Sequence, residues 1–234
     1  MVTVGVRLPC FRLAASLRHA VDPDAPAYLI ERFGRRRVLE ATAAAEMRGV
    51  RPGMTMREAV RAAPRAAVAV DDPVRAARDW RRVLDQLARL PAPVDDGGPG
   101  LAFVRIPRGD SAARWFAMVH DVIEPFALRP RCGAGATKLI AFVATHRGGD
   151  AVCRPGAEAT FLADAPLELV CVDPDVMLRL RLIGARTFGE LAALPMHQLL
   201  RFNADVLAWY DLARGDVAAA HRALTLGHPE PVEG

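Results

Sequence analysis

Short β-branched segments alternate with helical segments through the first two thirds of the chain, and this alternation limits the possible folds more than any other feature. Strands are predicted at Val2–Leu8, Ala27–Phe33, Arg37–Ala41, Val68–Val70, Leu101–Ile106, Arg131–Gly135 and Val152–Arg154. From Leu167 onward the sequence changes to short helical segments separated by turns. The sequence therefore predicts an α/β body followed by a small all-helical unit.

The helical segments are recognised by apolar residues that recur on one face. The longest is Val74–Leu90, which ends at Pro91 and Pro93. Ser111 is predicted to be the N-cap of a helix that runs through Val122 up to Pro125. Further helices are predicted at Met56–Ala63, Thr137–Thr145, Ala157–Leu162, Asp175–Leu182, Phe188–Leu194, Met196–Phe202 and Ala204–Ala213.

Composition excludes several classes of protein. With 52% apolar residues in 234, the chain can form one large core or several smaller ones. It has no long apolar run, and arginines interrupt its first 20 residues, so we expect neither a membrane segment nor a signal peptide, and we expect a cytoplasmic protein. The four cysteines form no CxxC pair and have no histidine at zinc-finger spacing, which predicts reduced thiols and no metal site.

The charge of the chain permits a nucleic-acid partner without requiring one. The formal net charge is +4 and the sequence pI is about 9.2. Arginine supplies nearly all of the positive charge, since Lys138 is the single lysine. The excess of arginine and alanine indicates a GC-rich genome more than a selected binding surface.

Three segments match one protein family in order and spacing. They are Gly49–Ala59 (GVRPGMTMREA), Arg131–Ala141 (RCGAGATKLIA) and Leu182–Ala192 (LIGARTFGELA). They resemble the fingers, palm and thumb motifs of the Y-family translesion DNA polymerases. The resemblance implies a palm from residues 1–11 and 75–165, fingers from 12–74, a helical thumb from 166–227 and a disordered tail at 228–234. It also implies that the chain lacks the little-finger domain of the family.

The family catalyses two-metal phosphoryl transfer, in which carboxylates hold two Mg²⁺ ions. Its first motif, D-x-D-x-F, aligns with Arg7–Phe11 and puts Arg7 and Pro9 where the metal-binding aspartates belong. Its second motif, S-x-D-E-A-F, puts Gly100 and Leu101 at the acidic pair. Asp95 and Asp96 could take this role only through a shift of their loop, and the first strand would still offer no carboxylate partner. The resemblance therefore predicts a chain without metal-binding carboxylates, without a cofactor and without enzyme activity.

The triphosphate clamp of the family is also altered. The Tyr and Arg of its Y-E-A-R motif align with Ala43 and Glu46, and a carboxylate would repel a triphosphate. Such a pattern is similar to that of the ImuB and ImuY-type proteins. It implies a non-catalytic accessory protein in DNA damage tolerance and SOS mutagenesis, which recruits an error-prone C-family DNA polymerase or other mutasome proteins.

Two other functions are compatible with the same residues. One is an active translesion polymerase with unusual metal ligands, and the other is a protein-interaction domain that no longer binds DNA. The partner polymerase, the lesion, the oligomeric state, binding to a sliding clamp and induction by damage are left open.

The resemblance also implies weak contacts with the DNA backbone. The thumb motif is similar to a helix-hairpin-helix, in which backbone N–H groups bind phosphate, and it assigns Gly184, Arg186, Thr187 and Gly189 to this role. A purely structural thumb is the alternative. Lys138, at a predicted helix N-terminus, matches a phosphate-contacting lysine of the family and could equally be a solvated residue of the first turn.

Overall fold

The structure, a computed structural model, describes residues 2–17, 21–22, 24–171 and 173–217. The predicted tail at 228–234 lies outside these residues. Within them, no helix combines the length and the apolar character needed to cross a membrane.

The order of elements follows the alternation in the sequence. The strands are β1 (Val2–Arg7), β2 (Ala27–Ile30), β3 (Val38–Ala41), β4 (Ala67–Val70), β5 (Val94–Asp96), β6 (Leu101–Ile106), β7 (Arg131–Gly135) and β8 (Ala151–Val152). The helices are α1 (Phe11–Leu17), α2 (Ala43–Met47), α3 (Met56–Ala62), α4 (Pro73–Leu87), α5 (Ala112–Ile123), α6 (Lys138–Ala144), α7 (Glu158–Leu162), α8 (Pro174–Leu182), α9 (Phe188–Ala193), α10 (Met196–Leu199) and α11 (Ala204–Ala213).

The larger sheet has five strands in the order β5-β6-β1-β7-β8. Its central strand β1 is antiparallel to both β6 and β7, while β7 and β8 are parallel. Helices α4 and α5 cover one face, where their buried side chains meet those of β1, β6 and β7 in one apolar cluster. This cluster includes Val4, Val6, Trp80, Val83, Leu87, Val104, Trp115, Val119 and Ile123.

Helix α6 covers the opposite face of this sheet at very short range. A Cβ atom on Gly133 would lie 2.4 Å from the Ala141 carbonyl oxygen, and one on Gly135 would lie 2.4 Å from Ile140 Cγ2. Thr137 caps this helix by accepting a hydrogen bond from the Ile140 amide. Glycines on β7 are therefore required because the helix backbone lies where side chains would be.

A smaller sheet has the order β3-β2-β4 and packs around the buried side chains of Tyr28, Ile30 and Val38. Helix α3 begins with a capping box in which Thr55 and Glu58 exchange hydrogen bonds. Helices α7 to α11 form a further core around Leu180, Phe188 and Leu191, and this core is continuous with Leu139 and Ile140 of α6. The helical unit is thereby attached to the large sheet through α6.

The predicted fold class is confirmed, since the chain is a mixed α/β body with a helical C-terminal unit. Strands β6 and β7 and helix α11 have the predicted bounds. Three elements were not predicted: helices α1 and α2 and strand β5. Ser111 occupies the predicted N-cap of α5 but makes no side-chain capping hydrogen bond.

Candidate nucleic-acid interface

The end of β1 brings together the positions where the sequence differs from the polymerase motifs. Arg7 lies opposite Leu101 of β6 on one side and opposite Arg131 of β7 on the other. The Leu8 amide donates a hydrogen bond of 2.8 Å to the Gly100 carbonyl oxygen, and Pro9 follows in the connection to α1. Arg7, Pro9, Gly100 and Leu101 therefore lie close together at one end of β1 and β6.

The Arg7 side chain lies on the α6 face of the sheet. Its Nε donates to Thr145 Oγ1 at 3.2 Å and its Nη2 donates to the Thr145 carbonyl oxygen at 3.1 Å. Burial and the neighbouring charge of Arg131 lower the pKa of Arg7. Arg131 is exposed and donates to the Gly148 carbonyl oxygen at 2.5 Å. Two guanidinium groups therefore lie side by side at this end of the sheet.

His146 adds an uncharged ring to the same region. Its Nδ1 lies 3.0 Å from the Phe142 carbonyl oxygen and 3.2 Å from Thr145 Oγ1. Burial, followed by the charge of Arg7, lowers the pKa of His146 to about 4. The imidazole is neutral near pH 7, so the positive charge here belongs to the arginines.

Asp95 lies on strand β5, opposite Phe103 of β6, and not on a loop as the sequence suggested. Its carboxylate lies 3.1 Å from Lys138 Nζ and 3.5 Å from Arg105 Nε. The Lys138 ammonium group also lies 5.5 Å from the centroid of the Phe103 ring. Lys138 is therefore at the N-terminus of α6, where the sequence predicted it, and its partly exposed ammonium group is paired with Asp95.

A two-magnesium site needs several carboxylate oxygens that converge on the two ions. Asp95 is paired with Lys138 and Arg105, whereas the Asp96 carboxylate accepts hydrogen bonds of 2.8 Å from Trp80 Nε1 and from the Gly98 amide. The residues described near Arg7 do not fit this pair of ions in their present arrangement. We therefore derive no catalytic step through magnesium.

Helix α2 carries the positions that align with the triphosphate clamp. Ala43 and Glu46 are exposed and lie three residues apart, on one face of this helix. The Cys10 thiol is influenced by charges from both regions. Burial, then the charges of Glu40 and Glu46, raise its pKa to about 12, while the charge of Arg7 acts in the opposite direction. That Ala43 and Glu46 do not bind a triphosphate therefore stays a prediction.

The backbone amides of the thumb motif already have acceptors within the protein. The Arg186 and Thr187 amides donate to Glu190 Oε2 at 2.8 and 3.1 Å. The Gly184 amide donates to the Arg181 carbonyl oxygen at 3.1 Å, and the Gly189 amide donates to the Ala163 carbonyl oxygen at 2.8 Å. A phosphate at this turn would have to displace the Glu190 carboxylate.

The two glycines of this motif differ in their structural role. Gly184 has a φ of +89°, and a Cβ there would meet nothing within 4 Å, so backbone conformation explains this glycine. A Cβ on Gly189 would lie 2.8 Å from the Ala163 carbonyl oxygen, so close packing explains the other. The assignment of Gly184, Arg186, Thr187 and Gly189 to DNA contact stays a prediction, and Arg186 contributes its exposed side chain to it.

One cluster of chemically active side chains was missed in the sequence. His120, Cys132 and Asp150 have their ligand atoms within 4.8 Å of one another. The histidine and the aspartate lie 30 residues apart in the chain, and no local motif links them. The cluster is revealed only by the pairing of β7 with β8, which is a tertiary feature.

Comparison with known structures shows the fold. The structure of DinB from Sulfolobus solfataricus matches 93% of this chain and 68% of its own with a TM-score of 0.74 at 17% identity. An insertion ternary complex of Dbh DNA polymerase matches 92% of this chain and 68% of its own with a TM-score of 0.73 at 16% identity. The architecture is therefore that of the Y-family polymerases.

Sequence comparison adds a relative that is an enzyme. DNA polymerase IV of Caulobacter vibrioides is 27% identical over 222 residues, which are 89% of this chain. The chain spans about half the length of this relative, 55%.

The prediction that the chain is not an enzyme is contradicted by these relatives, since they are DNA polymerases. That prediction rested on aligned positions of β1 and β6, and it dismissed Asp95 and Asp96 as loop residues. Both lie on β5, in the same sheet as Arg7. The substitutions at Arg7, Gly100 and Leu101 therefore do not establish a loss of catalysis.

The family itself follows from a match over more than half of the chain. The pattern of the impB/mucB/samB family matches residues 10–146 of 234. This stretch begins just after β1 and ends with His146, so it includes the small sheet, β5 to β7 and α6. The chain belongs to the impB/mucB/samB family of Y-family DNA polymerase relatives.

Proposed function

We propose that this chain acts in DNA damage tolerance by holding primer-template DNA weakly through its phosphate backbone. The observation that carries the proposal is the pair formed by Arg7 and Arg131 at the end of β1. Phosphate is attracted to such a pair, and arginine is well suited to hold it because its guanidinium forms bidentate hydrogen bonds. Relatives named DNA polymerases support the same partner. With chromosomal DNA as its partner, the chain would work in the cytoplasm.

Binding should be weak and independent of sequence. The contacts available are side chains such as Arg131 and Arg186, both exposed, since the amides of the thumb motif already have acceptors. Backbone contacts fix the position of a protein on DNA without reading bases. Affinity should therefore fall steeply as the salt concentration rises.

The test is a salt titration of binding to a fluorescent primer-template, followed by anisotropy. The double variant Arg131→Glu, Arg186→Glu should reduce the slope of log affinity against log salt by about 2, because about 0.9 counterion is released per phosphate contact. The matched control is Arg81→Glu, Arg89→Glu, which makes the same charge change at exposed positions along and just beyond α4, on the other side of the sheet. Equal slopes for the two double variants would overturn the assignment.

We further infer that the chain works beside an error-prone C-family polymerase in SOS mutagenesis. A weak grip on DNA becomes effective when a second contact with a partner adds to it. Deleting the gene should lower damage-induced mutation. Purification of the tagged chain should recover the partner polymerase from cells that express both proteins. A folded Pro9→Ala, Leu101→Ala variant should support mutation normally. If that variant is abundant but inactive, the end of β1 has a direct role that recruitment alone does not explain.

A second candidate function is primer extension by the chain itself. It is favoured by the polymerase relatives and by the position of Asp95 on the same sheet as Arg7. A template-dependent product that disappears with EDTA would establish it. Absence of both DNA binding and extension would favour the third function, a domain that contacts only proteins.

A further inference from the structure

Three side chains with metal-binding atoms meet at the β8 edge of the large sheet. His120 comes from the last turn of α5, Cys132 from β7, and Asp150 from the residue just before β8. His120 Nε2 lies 2.9 Å from Asp150 Oδ2, and the Cys132 thiol is within 4.8 Å of both groups. Their donor atoms are nitrogen, sulfur and oxygen, which is a set that zinc accepts.

The cluster is held in place by the backbone around it. Asp150 Oδ1 accepts a hydrogen bond of 2.9 Å from the Cys132 amide, which leaves Oδ2 directed at the histidine. Arg131 fixes the same loop by donating to the Gly148 carbonyl oxygen. The carboxylate is therefore oriented by β7 itself, as the ligands of metal sites usually are by their surroundings.

The cluster is separate from the arginine pair at the end of β1. Side chains alternate along β7, so Cys132 points into the core under α4 and α5, while Arg131 lies on the α6 side. The Cys132 side chain is fully buried, whereas those of His120 and Asp150 are 43% and 32% exposed. An ion between them would have protein on one side and solvent on the other.

We propose that His120, Cys132 and Asp150 bind a divalent transition metal ion, with Zn²⁺ as the best match. In a tetrahedral zinc site, ligand atoms lie about 3.3–3.6 Å apart, given bond lengths of about 2.0–2.3 Å. The separation of 2.9 Å between His120 and Asp150 needs to widen by a few tenths of an ångström. The Cys132 sulfur, which lies within 4.8 Å of both groups, needs to approach them by up to about 1 Å. Water completes the tetrahedron from the open side.

The ion would tie α5 to the β8 edge of the sheet. Strand β8 has only two residues and pairs with β7 at Gly133 and Ala134 alone. A metal bond from α5 to Asp150 would fix the segment that leads into this short strand. Binding should therefore raise the thermal stability of the chain, since a ligand that binds the folded state stabilises it.

The test is titration of the purified, chelator-treated chain with Co²⁺, whose charge-transfer band with a thiolate reports directly on sulfur coordination. The expected result is one Co²⁺ per chain with this band, and displacement of Co²⁺ by Zn²⁺. Cys132→Ser should abolish the band. The matched control Cys153→Ser changes another buried thiol outside the cluster and should keep it. Absence of the band in the parent, or its loss in the control, would overturn the proposal.

Two further variants keep the test decisive if Cys132→Ser does not fold. His120→Ala removes a partly exposed side chain, and Asp150→Asn keeps an oxygen for the Cys132 amide while removing the charge. Each should weaken Zn²⁺ binding at least about tenfold. Zn²⁺ should raise the Tm of the parent and not that of the two variants. If the variants bind and respond as the parent does, the cluster is only an ion pair beside a buried thiol.

Discussion

The two faces of the five-stranded sheet differ in the side chains that they carry. The face under α4 and α5 is filled by large buried side chains, and Phe11 and Trp80 meet edge to face with their ring centroids 5.3 Å apart. The face under α6 carries glycines on β7 and the charged groups of Arg7, Asp95 and Lys138. The apolar side chains of β1 and of helices α4 and α5 are therefore buried on the first face, and the groups available for binding lie on the second.

This division explains how the end of β1 can differ from the polymerase motifs without loss of the fold. Arg7 and Leu101 lie on the α6 side, so neither contributes to the aromatic core. The Arg7 guanidinium is satisfied by Thr145 at the end of α6. Changes on one face can thus alter chemistry while the other face keeps the sheet intact.

The largest effect is expected on the apolar face. Leu87→Ala removes a side chain with no exposed surface in α4 and should lower the free energy of unfolding by about 2–5 kcal/mol. Leu84→Ala, one turn earlier and only half-buried, is the control and should cost clearly less. Urea unfolding followed by circular dichroism measures both. Equal losses would mean that the deeper burial of Leu87 in the α4 face does not determine the size of the effect.

A smaller but definite loss is expected on the α6 face. Gly133→Ala would place a Cβ atom 2.4 Å from the Ala141 carbonyl oxygen and 2.5 Å from the Thr145 amide nitrogen, so α6 would have to move away. Overpacking of this kind costs about 1–3 kcal/mol. Gly149→Ala, where a Cβ would meet nothing within 4 Å, should stay within about 0.5 kcal/mol of the parent. An unchanged Tm for Gly133→Ala would contradict the close approach of α6.

The pH dependence of stability tests the charges on the α6 face. Burial and Arg7 lower the pKa of His146 from its usual 6.5 to about 4, so the unfolded chain binds this proton more readily than the folded chain does. The stabilisation is present above pH 6.5 and is lost as the pH falls toward 4. His146→Gln should make this acid-induced loss of stability smaller by an amount on the order of 1 kcal/mol.

Each variant is compared with the parent by the difference between their free energies of unfolding at each pH, so that the pH dependence common to both cancels. His197→Gln changes an exposed histidine of α10 and should follow the parent. Parallel curves for parent and His146→Gln between pH 7 and pH 4 would show that His146 is not buried beside Arg7 as described.

The apolar face was easier to predict from the sequence than the α6 face. The spacing of Trp80, Val83 and Leu87 identified α4, because one helix face repeats in a way that a single chain reveals. Strand β5 was missed, since Val94-Asp95-Asp96 is short and acidic and becomes a strand only by pairing with β6. Helix α2 was missed because its five residues are too few for an apolar period.

The candidate sites depended even more on tertiary pairing. The resemblance located Lys138 at a helix N-terminus, but its pairing with Asp95 arises from the neighbourhood of β5 and α6. The amides of Arg186 and Thr187 were predicted for phosphate, and the Glu190 side chain, four and three residues later, already accepts from both. Sequence spacing shows which groups exist, whereas their partners are decided by the fold.

The smallest effect on stability, and the most informative on function, is expected for Asp95→Asn. Its partners Lys138 and Arg105 are partly exposed, and such surface pairs contribute about 0–1 kcal/mol. The variant should therefore unfold almost like the parent. Asp85→Asn, an exposed position on α4, makes the same charge change behind the opposite face and is the control.

The DNA-binding result then assigns a role to Lys138. If its ammonium group can reach phosphate, removing the Asp95 charge should raise affinity for primer-template DNA severalfold at low salt, and the gain should vanish at high salt because it is electrostatic. The control should gain less, since Asp85 is remote from Arg7 and Lys138. Equal gains would mean that only net charge matters. If the parent extends a primer and Asp95→Asn does not, Asp95 is instead required for catalysis, and the α6 face is a working polymerase site despite Arg7.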